Sequence, residues 1–265
     1  MTIAILGGGV MGETLLSGLI RSGRPPGELL VAHRRQERRE ELTDRYGVES
    51  TTSAEAAQRA DTLVLVVKPQ DMSALLAEIG PSVTSEQLVV SLAAGITSAV
   101  IESRLADGVP VVRVMPNTPA LVDAGMAAVS PGTHCTEEQI EHAMDLLRAT
   151  GKVIRVPEKL QDAVTAVSGS GPAYLFFVVE AMIEAGVHLG LPRATASELV
   201  IQTVVGSAKL LAETGEHPTV LREQVTSPAG TTAAAIRELE DHKVRAAFLS
   251  ALEAARDRSR ELAGS

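Results

Sequence analysis

The run TIAILGGGVMGETLL places glycine at positions 7, 9 and 12, the G-x-G-x-x-G spacing, between a strand-like apolar segment and a helical one. In that context the chemistry is dinucleotide binding. Gly7 permits a tight turn, Gly9 lets the backbone approach a diphosphate, and Gly12 lets helix and strand pack closely, while the helix N-terminus attracts phosphate. After the second strand-like segment a site for NAD usually presents Asp or Glu to the ribose hydroxyls. Here the chain reads His33, Arg34, Arg35. A guanidinium pairs with a 2′-phosphate that a carboxylate would repel, so NADP(H) is the expected cofactor, with NAD(H) used more weakly. Arg38 and Arg39 lie further along the helical segment and read as a solvated basic face. Two more loops, Val67-Lys68-Pro69-Gln70 and Ala93-Ala94-Gly95, follow strand-like runs and should line the cofactor cleft, since ligands bind at the carboxyl ends of parallel strands.

Other reactive side chains form no pattern. The six histidines show no metal-ligand spacing, Cys135 is the single cysteine, and no Ser-His-Asp arrangement is visible, so neither a metal nor a nucleophilic mechanism is expected. A net charge of −9 argues against a sequence-independent grip on nucleic acid. The start MTIAIL has no basic leader, and the most apolar stretch, AYLFFVVEAMIEAGVHLGL, is interrupted by Glu180 and Glu184. We therefore expect no membrane span and a cytoplasmic location.

The elements that position the loops are readable from the same sequence. Up to about residue 157, β-branched runs such as TIAILG, LLVAHR, TLVLVVKP and VPVVRVMP alternate with helical patterns, which predicts an α/β fold with a mainly parallel sheet. Beyond it the β signal stops, and Pro and Gly punctuate a series of helical segments. The expected division is a dinucleotide-binding domain over residues 1–157 and an all-helical domain over 158–265. Several of these helices are apolar around much of their circumference, and a second copy of the chain is the simplest cover. Hydrophobic residues make up 45% of the chain and aromatics only 2%, so the core must be aliphatic.

The segments GGGVMG, VVKPQ, SLAAGI, RVMPNTPALVDAGM, SGSGPAY, GLPRATA and VTSPAGTT together resemble the pyrroline-5-carboxylate reductase family over nearly the whole chain. The resemblance implies an N-terminal Rossmann-type domain, a C-terminal helical dimerisation domain, and a homodimer that can assemble into a ring of dimers, a decamer. It implies reduction of a cyclic imine carboxylate, 1-pyrroline-5-carboxylate, to L-proline by NADPH. Carried over by position, cofactor contacts fall at Leu6, Gly7, Gly8, Gly9, Val10, Met11, Arg34, Ser53, Val67, Lys68, Pro69, Ala93, Ala94 and Gly95. Gly12 and Arg35 join them on the motif argument. Substrate contacts fall at Gln224, Ser227, Gly230, Thr231 and Thr232, with Glu158 and Thr165 added. Ser53 replaces the family's usual Asn, and Ala229 replaces the first glycine of SPGGTT.

Given such a substrate, the turn before a helix at 227–232 suits its carboxylate, because free N–H groups and the helix dipole favour an anion. Thr232 is the candidate catalytic residue, hydrogen-bonding the ring nitrogen. On the residues alone Thr231 and Thr232 read as an ordinary helix N-cap. Asn117 and Thr118 read as a pocket edge or a rigid turn, and SGSGPAY as a helix break and restart with Pro172 at its first turn. Two rival readings are a 3-hydroxyacid-type dehydrogenase, whose lysine base finds only Lys209 and Lys243 without a flanking motif, and a non-catalytic dinucleotide sensor, which has no need of SPAGTT.

Overall fold

The computed structural model describes residues 1–263. Its Cα positions group into two compact units, one formed by Met1–Ser170 with the chain from Ala255 onward, the other by Gly171–Ala254.

The first unit is built on one eight-stranded sheet: β1 (Ile3–Leu6), β2 (Leu29–Ala32), β3 (Glu49–Thr51), β4 (Thr62–Leu65), β5 (Leu88–Ser91), β6 (Val111–Met115), β7 (Gly125–Pro131) and β8 (Gly151–Arg155). The strand order is β3-β2-β1-β4-β5-β6-β7-β8. The pairs from β3 to β6 are parallel, β7 runs antiparallel to β6, and β8 is parallel to β7. The central strands are buried on both faces, as crossover helices require. In β1, Ile3 and Ile5 point into the core shared with Leu15, Leu16 and Leu146, while Ala4 and Leu6 point into the opposite core with Leu63, Met72 and Leu76. This two-residue alternation anchors the sheet between two helical layers.

The helices of this unit are α1 (Val10–Arg21), α2 (Gln36–Tyr46), α3 (Ser53–Arg59), α4 (Pro69–Ile79), α5 (Ser98–Glu102), α6 (Glu137–Arg148) and α7 (Gln161–Val164). The sequence pattern does not reveal β3 and α3. A three-residue edge strand has no period to detect, and α3 is announced chiefly by a capping box, Thr52 with Glu55.

The second unit is helical: α8 (Gly171–His188), α9 (Arg193–Thr214), α10 (Pro218–Gln224), α11 (Thr231–Asp241) and the first half of α12 (Val244–Ala263). In SGSGPAY the helix is interrupted at Ser170 and restarts at Gly171, with Pro172 in its first turn. Residues 165–169 form one wide π turn, closed by Ser170 N–H donating to the Thr165 carbonyl at 2.8 Å. A Cβ on Gly169 would lie 2.4 Å from the Met115 methyl, which accounts for a glycine there.

Within unit two, α8 packs on α9 through Gly186 against Ala196. No residue of α8 is buried, and Phe176 and Phe177 are 66% and 72% exposed. The run Glu158–His188 is, by length and composition, apolar enough to cross a membrane.

Candidate active site

Six loops leave the carboxyl ends of parallel strands on one edge of the sheet. The order reverses between β2-β1 and β4-β5, so this edge contains the switch point where open α/β sheets bind ligands.

The glycine loop stands after β1 for steric reasons. Gly7 has φ 126°, and a Cβ on it would lie 2.3 Å from the Val66 carbonyl oxygen. A Cβ on Gly12 would lie 1.9 Å from the Gly7 carbonyl oxygen, so helix and strand could not approach. Gly9 differs: it is the N-cap of α1, exposed, and a Cβ there would meet nothing within 4 Å. No side chain caps α1, so its first amides remain available to an anion. Val10 and Met11 open the helix, Gly8 is buried against Leu42 and His33, and Leu6 ends the strand in the core.

After β2, Arg34 and Arg35 are exposed, and neither guanidinium has a partner among the described residues. His33 is half-buried and accepts a hydrogen bond from the Arg35 amide at its Nδ1. Burial holds its imidazole below the usual histidine range, and the charges of Arg35, Arg38 and Arg34 push it further down.

Arg38 does not lie on a solvated face. Its Nε donates to the Gly8 carbonyl oxygen at 2.8 Å, Nη1 to Glu41 at 2.7 Å and Nη2 to Glu13. Glu13 also accepts from Arg45 at 2.6 Å and from the Tyr46 hydroxyl at 2.8 Å. Burial raises the Glu13 carboxyl, but Arg38, Tyr46 and Arg45 together outweigh it and hold the group below the usual carboxylate range. Arg39 donates to the His33 carbonyl at 2.7 Å. Both arginines brace the loops on either side of the cofactor edge. Sequence reasoning missed Arg38 because Glu13 and Gly8 lie 25 and 30 residues away.

The loops after β4 and β5 share a cavity of about 660 Å³ lined by Pro69, Gln70, Ala94, Gly95 and Ile96, with Thr165, Ser170 and Arg258 on its other sides. Lys68 is the exposed N-cap of α4, Val67 is half-buried, and Ala93 is buried. Expected cofactor positions and expected substrate position Thr165 are thus brought together. The Thr165 hydroxyl donates to the Gln161 carbonyl. Ser53, the first residue of α3, lies off the end of β3 at the outer side of the same edge.

Glu158 presents no free carboxylate. It accepts from the Ser98 amide at 2.8 Å and hydroxyl at 2.6 Å, and pairs with Arg113 at 3.3 Å. It therefore closes the N-terminus of α5 and neutralises an arginine whose side chain is only 7% exposed. Asn117 is similarly committed: its amide donates to the Ser168 carbonyl, and its oxygen accepts from Met126 N–H at 2.8 Å. Cys135 donates to the Val111 carbonyl, and burial pushes its thiol up, away from the reactive thiolate.

The second candidate region lies in the helical unit. The N-cap of α11 is Gly230, with no side-chain cap, so Thr231 and Thr232 are the first two helical residues and the simple capping role does not hold. Gly230 N–H donates to the Ser227 carbonyl at 3.0 Å, forming the turn that exposes this helix end. Ala229 supplies the bend at φ 58°. Gln224 ends α10 just upstream, and Ser227 and Thr231 are exposed. The site offers uncapped amides with flanking hydroxyls, a good fit to a carboxylate.

Comparison with known proteins agrees with both halves. Residues 158–262 match the family model described as pyrroline-5-carboxylate reductase dimerisation. Residues 2–95 match the one described as NADP oxidoreductase coenzyme F420-dependent. A pyrroline-5-carboxylate reductase from Corynebacterium melassecola is 51% identical over 98% of both chains. The structure of one from Coxiella burnetii superposes with a TM-score of 0.94 at 39% identity, covering 98% of each chain. The Plasmodium falciparum pyrroline carboxylate reductase, solved with NADP bound, gives 0.88 at 27% identity, covering 99% of this chain and 98% of that one.

Proposed function

This chain belongs to the pyrroline-5-carboxylate reductase family, and from that premise we propose how its own residues carry out the reaction. It is an NAD(P)H-dependent oxidoreductase that reduces 1-pyrroline-5-carboxylate to L-proline. When bound, NADPH supplies the hydride.

The residues present fit the cofactor. The uncapped end of α1 and the open face of Gly9 suit a diphosphate, and the unpartnered Arg34 and Arg35 suit a 2′-phosphate. Ser53 contributes at the adenosine side, and Val67, Lys68, Pro69, Ala93, Ala94 and Gly95 at the nicotinamide side, where the cavity that Pro69, Ala94 and Gly95 border is also lined by Thr165. Glu158 serves by holding α5 and Arg113 in place.

For the substrate, the amides at the start of α11 receive the carboxylate, with Ser227 and Thr231 hydroxyls adding hydrogen bonds and Gln224 and Gly230 shaping the approach. Thr232 holds the ring nitrogen. A protonated imine accepts hydride far more readily than a neutral one, and water can deliver that proton, so the protein's task is orientation and exclusion of competing geometry. The observation that carries this reading is the α11 N-terminus left open by Gly230. The test follows NADPH absorbance on adding the imine, in the wild type and in Thr232→Ala. Thr232→Ala should lower kcat/KM for the imine at unchanged NADPH affinity; an unchanged rate would remove Thr232 from the site.

The domain boundary at 157/158 is supported by the dimerisation model beginning at residue 158. The same match supports covering the apolar run with a second copy of this chain instead of lipid. Assembly of the dimers into a decamer and a cytoplasmic location complete the proposal, and light scattering on the purified protein decides the first.

A further inference from the structure

We propose that Arg38 is a positioning residue for the cofactor diphosphate, acting through the Gly8–Gly9 peptide. The inference rests on reading the glycine loop as the diphosphate site.

A trans peptide is planar, and its C=O and N–H point in opposite directions. Arg38 Nε holds the Gly8 oxygen at 2.8 Å from the α2 side. The Gly9 N–H on the same peptide is thereby turned the other way, away from α2. Without that anchor the peptide between two glycines is free to rotate, since neither residue has a Cβ to restrict its backbone angles.

The anchor is itself fixed. Arg38 is only 15% exposed and is clamped by Glu13 from α1 and Glu41 from α2. Glu13 is shared with Arg45, and Arg45 closes back onto Glu41 at 2.9 Å. One guanidinium thus ties the first turn of α1, the glycine loop and α2 into a single unit. The same helix α2 begins just after Arg34 and Arg35, but the loop that carries them is braced separately, by Arg39 on the His33 carbonyl.

The consequence separates Arg38 from those two arginines. Arg34 and Arg35 discriminate NADPH from NADH, whereas Arg38 supports the part the two cofactors share. The experiment measures dissociation constants for NADPH, NADH and adenosine 2′-phosphate by calorimetry in the wild type, Arg38→Met, Arg38→Lys and Gly9→Ala. Arg38→Met should weaken NADPH and NADH together by about tenfold, the value of one charge-assisted hydrogen bond, and leave adenosine 2′-phosphate at its wild-type affinity. Arg38→Lys keeps the charge for Glu13 but not the three-way fork, so it should fold and fall between the two. Its KM for NADPH should rise at unchanged kcat. Wild-type affinities in both Arg38 variants, or a matching loss of adenosine 2′-phosphate binding, would overturn the proposal. Gly9→Ala, which crowds only a bound diphosphate, should weaken NADPH; if it binds normally, the loop assignment itself is wrong.

Discussion

Ala229 takes φ 58° immediately before Gly230, where a Cβ would lie 2.3 Å from the Ser227 hydroxyl oxygen. One turn thus has two demanding positions, and only the second is a glycine. A non-glycine residue in the left-handed region costs roughly 1–2 kcal/mol, partly offset by the lower entropy of Ala in the unfolded chain. Ala229→Gly should raise stability by about 0.5–1 kcal/mol in denaturant titration. A lower midpoint would show that the turn gains more from the methyl group than it loses to strain.

The Arg34 and Arg35 guanidiniums have no partner to lose among the described residues, so replacing both with Ala should leave the fold untouched. KM for NADPH should rise about ten- to a hundredfold while KM for NADH changes little. Equal effects on both cofactors would detach these arginines from the 2′-phosphate.

Glu158→Ala would strand the buried Arg113 and open the N-terminus of α5, at a cost of about 2–3 kcal/mol. Glu158→Gln keeps an acceptor for Ser98, so it should lose less and leave KM for the imine alone. A raised imine KM in a fully stable Glu158→Gln protein would return Glu158 to the substrate contacts.

His33 and His142 are both held below the ordinary histidine value of 6.5, in each case first by burial, and His142 then by the charge of Arg24. The unfolded chain therefore takes up these protons before the folded one does. Stability from both groups is complete above pH 6.5 and drains as pH falls through their lowered folded values. A His33→Gln, His142→Gln protein should show a flatter loss of thermal midpoint on acidification. An unchanged slope would assign acid sensitivity to other groups.

What could be read from residues alone follows from range. IAIL, TLVL and LVVS are continuous apolar runs between turn residues, so the parallel sheet and its glycine loop are visible in short windows. β3 escapes because three residues cannot display a period. Arg38 escapes because a charged helix looks solvated until its partners, brought close only by the fold, are known. The role of Gly230 escapes for a related cause: threonine is a common cap, and only the backbone angles reveal that the preceding glycine already occupies that position. Glu158 illustrates the converse limit, since a position carried over from a family does not reveal that its carboxylate also accepts from Ser98 and pairs with Arg113.

The exposed Phe176 and Phe177 of α8 bear on more than geometry. A fold completed by a second copy is governed by mass action, so its apparent stability depends on how much protein is present. Each tenfold dilution removes about 1.4 kcal/mol per mole of dimer. The enzyme is therefore most vulnerable to unfolding and proteolysis when newly made and scarce, and most secure once abundant.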